Sequence, residues 1–250
     1  MSTVEWAAAA LFFVVATLYS SVGHAGASGY IASMALLGFA PEQLRPTALA
    51  LNLLVGGIGL FRFWRGGQVR WRNILPFVLA SAPVAFFAAQ IKLPKETYSA
   101  LLGVVLVVAA VGVFRGASRA EMQDVAARGR QVPWSLGLLI GAAIGLLSGL
   151  TGTGGAIFLT PLLLFAHWMP TREASGTSVA FVWINSLTGL AGLLSATGTL
   201  PTALPAWLIA VAAGALLGTQ FGLRWLPVNR LRQALGVVLL IAAGKLLFAA

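Results

Sequence analysis

Gly149-Leu-Thr-Gly-Thr-Gly-Gly155 packs four glycines and two threonines into seven residues between two long apolar segments. Its meaning depends on the solvent. The chain of 250 residues is 59% hydrophobic and 9% charged, against roughly a quarter charged in an ordinary soluble domain. Apolar runs long enough to cross a hydrocarbon core, about 17 to 25 residues each, recur from end to end. The composition therefore reads as an all-α, polytopic membrane protein. Lipid tolerates non-helical backbone only where protein or a watery cavity satisfies its N–H and C=O groups, so the glycine stretch predicts a buried break beside a cavity.

The sixteen Lys and Arg sit in loops beside Trp, as in Arg62-Phe-Trp-Arg65 and Arg70-Trp-Arg72. They read as topology signals and interfacial anchors rather than a nucleic-acid face. With no cysteine there is neither a disulfide framework nor a thiolate site. The first apolar segment, Val4 to Val22, lacks the positive leader of a signal peptide and carries Glu5, so it is read as part of the fold.

The chain repeats itself. Leu102-Gly-Val-Val-Leu106 recurs as Leu235-Gly-Val-Val-Leu239, and Leu93-Pro94 as Leu226-Pro227. Gly23-x-x-Gly26-x-x-Gly29 answers Gly149-x-x-Gly152-x-x-Gly155, and Thr47-Ala-Leu answers Thr177-Ser-Val. Two homologous halves follow, 1–114 and 134–250, joined by a polar cytoplasmic linker over 115–133. Each half reads as five helical elements, near 4–22, 29–40, 47–63, 73–91 and 98–114, then near 134–150, 155–168, 174–195, 203–221 and 230–249. The second element of each half is short, about 20 Å as a helix against a core about 30 Å thick. If all ten elements cross, twelve of the sixteen cations fall on one side and four on the other, with Arg45, Lys92, Lys95 and Lys245 as the minority. If the short elements only dip in and return, the split becomes nine against seven. The positive-inside rule prefers ten crossings. An odd number per half then inverts the second repeat relative to the first and puts both termini on the periplasmic side, a recurring transporter plan.

The helix opening near Gly155 presents unpaired N–H groups and a positive dipole end to an anion. Gly152, Gly154 and Gly155 let a ligand approach the backbone, and Thr151 and Thr153 add hydroxyls; His24, Gly26, Ser28 and Gly29 fill the matching stretch of the first half. The alternative for any one glycine is close helix packing. Asn52 and Asn185 stand in matching contexts and either line the cavity or bond a neighbouring helix. Thr177 and Ser178, like Thr47, are either caps or ligand contacts. His24 is the titratable group nearest the proposed centre, either a neutral hydrogen-bonded imidazole or an anion and proton site. His167 and Lys245 lie near element ends and reach toward the interface.

All six carboxylates fall in loops or at segment ends, so no intramembrane acid is at hand as a proton relay or cation site. No cofactor is expected. Two distant histidines make no metal site, no Lys follows the glycines, and Ile157 stands where a dinucleotide fingerprint from Gly152 needs its third glycine. Gly26-Ala-Ser28-Gly29 matches the Gly-x-Ser-Gly of rhomboid-type intramembrane serine hydrolases, which keeps Ser28 as a nucleophile among the alternatives. An anion channel is another, since the same cavity with a low barrier would conduct.

The second half resembles the sulfite exporter family TauE/SafE. The residues that carry the resemblance are Gly152-Thr-Gly-Gly155 opening a short helix, Pro161 six residues on, and Ala174-Ser-Gly-Thr-Ser178 starting the next. The first half departs from it, with His24-Ala-Gly-Ala-Ser-Gly29, no proline matching Pro161, and Arg45-Pro-Thr47. The resemblance implies a multi-pass bacterial inner-membrane carrier, not an enzyme, that moves small sulfur-containing anions such as sulfite or organosulfonates, commonly outward. Its partners would be that anion and the bilayer, with a homodimer compatible and no nucleic acid.

Overall fold

A computed structural model describes residues 1–21, 25–116, 132–166, 168–197, 199–221 and 228–248. Among them the chain is helical throughout, with no strand. The helices are α1 (Thr3–Ser21), α2 (Ala27–Leu37), α3 (Pro41–Arg65), α4 (Trp71–Gln90), α5 (Lys95–Gly116), α6 (Trp134–Thr151), α7 (Ala156–Phe165), α8 (Thr171–Thr197), α9 (Leu204–Phe221) and α10 (Val228–Phe248). Six of these described helices, α1, α3, α4, α5, α6 and α8, are long and apolar enough to cross a membrane. Most of the linker expected over 115–133 lies outside the described residues, as do His24 and His167.

Each expected element has its helix, with shifted ends. The largest shift is in α3, which begins at Pro41 and not near 47. Pro41 at the first helical position forgoes an N–H that has no partner there anyway, and Glu42 complements the dipole. Pro46 then sits inside the helix, where its missing N–H removes one helical bond. Arg45 is consequently carried into the protein, 8% exposed. The expectation that Arg45 is a loop cation is corrected by its place inside α3 and by this burial.

Packing is set by small residues. Gly137, Gly141, Gly145 and Gly149 recur every fourth position on α6, and a Cβ on any of them would overlap Pro76, Phe77, Ser81 or Ala85 of α4 in turn. The i±4 glycine row lets the two backbones touch along their length. Gly214 and Gly218 of α9 do the same against Phe13 and Thr17 of α1.

The contact order also gives directions. Numbers rise together along α4 and α6 and along α1 and α9, so these pairs are parallel. Along α3 and α8 they run oppositely: Gly189 meets Leu49, Asn52 meets Ser186, Gly57 meets Trp183 and Gly59 meets Val179. The α5 and α10 pair is antiparallel too, with Gly103 at Leu247 and Phe114 at Gly236. Pairing joins elements far apart in the chain, since α1 packs on α9 and α6 packs on α4.

Candidate functional site

The site is built from the breaks before α2 and α7. Gly152, Gly154 and Gly155 hold φ of 78°, 74° and 88°, a left-handed region that costs other residues roughly 1–2 kcal/mol each. Gly152 caps α6, its N–H donating to Ser148 O at 2.8 Å. Gly155 caps α7 from the other side with no side-chain cap bond. Backbone bonding of α7 begins with Phe158 and Leu159 N–H donating to Gly155 O, so the amides of Ala156 and Ile157 emerge at the helix tip. Gly26, at φ 97°, caps α2 in the same way, with Gly29 and Tyr30 N–H donating to Gly26 O. Ala25, just before that cap, and Ala156, the first residue of α7, share one small buried cluster with Val182.

The polar residues sort into separate contacts. Asn52 reaches Ser186 across the α3 and α8 crossing, its Nδ2 donating to Oγ at 3.4 Å. A Cβ on Gly154 would stand 2.8 Å from Asn52 Nδ2 and 3.2 Å from Ser186 Oγ. Asn52 and Gly154 are thus brought together, and Ser186 completes the group. Thr151 and Thr153 share a hydroxyl bond of 2.9 Å, and Thr151 also donates to Leu147 O. Asn185 donates to Phe181 O of its own helix at 3.1 Å, and Thr177 to Met169 Sδ at 3.4 Å. Ser28 pairs with Tyr19 through their hydroxyls at 2.7 Å. Ser28, Asn52, Thr151, Thr153, Thr177, Ser178 and Asn185 are all at most 3% exposed.

Several buried polar atoms there have no partner: Asn52 Oδ1, Asn185 Oδ1, Ser178 Oγ and Thr47 Oγ1. Such atoms are rare in folded proteins and call for a reason. The Thr47 and Ser178 hydroxyls can donate, whereas the two free amide oxygens accept, because each Nδ2 is already bonded to Ser186 or Phe181; the described buried residues include no Asp or Glu.

Two of the expected glycines have packing reasons. A Cβ on Gly149 would strike Ala85 and Ala88 of α4, and one on Gly29 would strike Val15 and Tyr19 of α1. Gly29 also lies within α2 rather than before it.

Arg45 was hidden from the sequence as a site residue. Its Nη2 donates to Ala89 O and Gly149 O at 2.7 Å, and its Nη1 to Ile91 O at 3.1 Å. The guanidinium ties the last turn of α6 to the end of α4, and Gly152 packs against its Cα. Two helix C-termini present partial negative charge there, which compensates the buried cation in place of a carboxylate.

A family model described as sulfite exporter TauE/SafE matches residues 8–246. The chain belongs to the TauE/SafE family. It is similar to a probable membrane transporter protein, y4hK, of Sinorhizobium fredii (strain NBRC 101917 / NGR234), 42% identical over 99% of this chain and 100% of that one. It is also 31% identical to a probable membrane transporter protein of Xylella fastidiosa (strain Temecula1 / ATCC 700964), over 65% of this chain and 64% of the relative. No solved structure matches. As a TauE/SafE member the chain is a multi-pass membrane transporter and not an enzyme, which sets the hydrolase reading of Ser28 aside. Ser186 and Tyr19, the partners of two site residues in this TauE/SafE chain, were missed. Ser186 directly follows Asn185, a signal that only the crossing of α3 and α8 makes legible.

Proposed function

We propose that the chain is a secondary transporter of small sulfur-containing oxyanions, sulfite or short organosulfonates, working outward across the bacterial inner membrane. The observation that carries this reading is the gathering of Ala25, just before the α2 cap, and Ala156, the first residue of α7, into one buried cluster with Val182, which with Asn52 and Ser186 crowds Gly154, without a buried carboxylate among the described residues. Helix N-termini favour anions, and a lining without acids disfavours cations.

The two halves act as inverted repeats. If the short helices merely dipped in and returned, α3 and α8 would run in the same direction. Their antiparallel crossing, and that of α5 and α10, support ten traversals, with the linker on the arginine-rich cytoplasmic side and both termini opposite. The parallel pairs α1 with α9 and α4 with α6 serve as two rigid bodies that rock about the α3 and α8 crossing. Asn52, Val182 and Ser186 crowd the position where a Gly154 Cβ would stand; this close packing favours a carrier over an open channel. A homodimer is compatible with this plan.

A thermal-shift screen of the purified protein in detergent tests the reading. Sulfite or a short sulfonate is expected to raise the melting temperature saturably, with chloride inert. A response to organic cations but not to any oxyanion would overturn it.

A further inference from the structure

A groove of about 760 Å³ runs between α3 and α9, away from the glycine breaks. Leu53, Leu54, Ile58 and Phe61 of α3 and Leu216 of α9 line it, and Arg62 and Arg65 stand at one end. At about 100° per residue, this is the face of α3 opposite to Asn52, Gly56 and Gly59, which turn toward α8. Gly57, which faces Trp183 of α8, marks the groove's edge nearest that crossing, and the other lining residues of α3 lie on the side away from Asn52.

Its chemistry is that of an amphiphile. From Leu53 to Arg65 the helix rises about 18 Å, close to the roughly 15 Å hydrocarbon depth of one leaflet. Phe61 and Leu216 are about half exposed, so the walls open sideways to the bilayer. The two cations share the last turn of α3 with the exposed Trp64, a residue type that marks a headgroup layer. Arg65 is steadied over the Phe61 ring at 5.5 Å. Among the described residues Arg70 is paired with Glu173, whereas Arg62 and Arg65 have no carboxylate. A small polar oxyanion would gain nothing from the apolar walls. An uncharged fatty chain would leave both guanidiniums unanswered.

We propose that this groove is a binding site for one anionic glycerophospholipid, its phosphate held by Arg62 and Arg65 and one acyl chain lying along Leu54, Ile58 and Leu216. Charge complementarity and matched depth select a lipid with a net negative headgroup over a zwitterionic one.

Native mass spectrometry of the purified full chain, offered equal amounts of phosphatidylglycerol and phosphatidylcholine, tests this. One phosphatidylglycerol per chain is expected, preferred on the order of tenfold, as two interfacial arginines allow. The Arg62→Gln/Arg65→Gln pair should remove the preference, Arg62→Lys/Arg65→Lys should keep most of it, and Leu216→Trp should lower retention of both lipids by filling the groove. Should the glutamine pair fail to fold, the lysine pair against Leu216→Trp still separates headgroup from chain binding. Equal retention of the two lipids by the native chain, a preference that survives loss of both arginines, or a disulfide between two copies through Ile58→Cys that excludes lipid would each overturn the proposal.

Discussion

Gly154 is held by two independent constraints, a φ of 74° and an Asn52 amide 2.8 Å from where a Cβ would stand. Alanine there is expected to cost on the order of 1–2 kcal/mol from backbone strain alone. Gly154→Leu should abolish oxyanion uptake into vesicles while membrane insertion persists; wild-type flux in that variant would detach the glycine break from transport. Arg45 makes a second case. Arg45→Met leaves the carbonyls of Ala89, Ile91 and Gly149 without their donor, an expected loss of about 2 kcal/mol in thermal or denaturant unfolding. Lysine should recover only part of it, because an ammonium lacks the planar fork that spans several acceptors. Equal stability of the Lys and wild-type chains would show that charge alone matters.

Among the elements, the α6 ridge sorts glycines by what they touch. Gly141→Ala drives a methyl into the Phe77 backbone, whereas a Cβ on Gly244 of α10 meets nothing within 4 Å. Overpacking of this kind costs typically 1–3 kcal/mol, while Gly→Ala in an unobstructed helix interior gains roughly 0.5–1 kcal/mol. Melting in detergent should therefore fall for Gly141→Ala and hold or rise for Gly244→Ala. The every-fourth spacing of the row was present in the sequence, but its partner was not. Glycine spacing marks a close contact, and only the fold names Pro76, Phe77, Ser81 and Ala85 as the other side. The start of α3 was less legible. Arg45-Pro46 reads as a boundary because the residue before proline is biased away from the helix. Three distant carbonyls that hold the guanidinium outweigh that local bias.

For the molecule as a body, the proposed inverted plan with ten traversals would place both termini on one face and the linker on the other. The chain contains no cysteine, so single cysteines introduced at Ser2 and Ser118 can be labelled from each side of sealed vesicles with an impermeant maleimide. Opposite sidedness is expected, with position 118 on the cytoplasmic side. Identical sidedness would end the inverted plan. This experiment reads topology and is independent of which anion is carried.

Solvent and repetition control everything that was legible in the chain alone. Apolar run lengths demanded membrane helices, the recurring Leu-Gly-Val-Val-Leu and paired glycine triplets are the grounds for proposing two halves, and the two short elements marked the breaks. Those features are local or periodic, and a bilayer leaves few ways to satisfy them. Who faces whom came from the packed helices. Asn52 meets Ser186 and Gly154 rather than Asn185, Ser28 meets Tyr19, and Arg45 leaves its loop reading to clamp α4 and α6. Side-chain partners across a helix crossing depend on interaxial distance and register, which small residues on both helices set jointly, so neither helix's own sequence can state them.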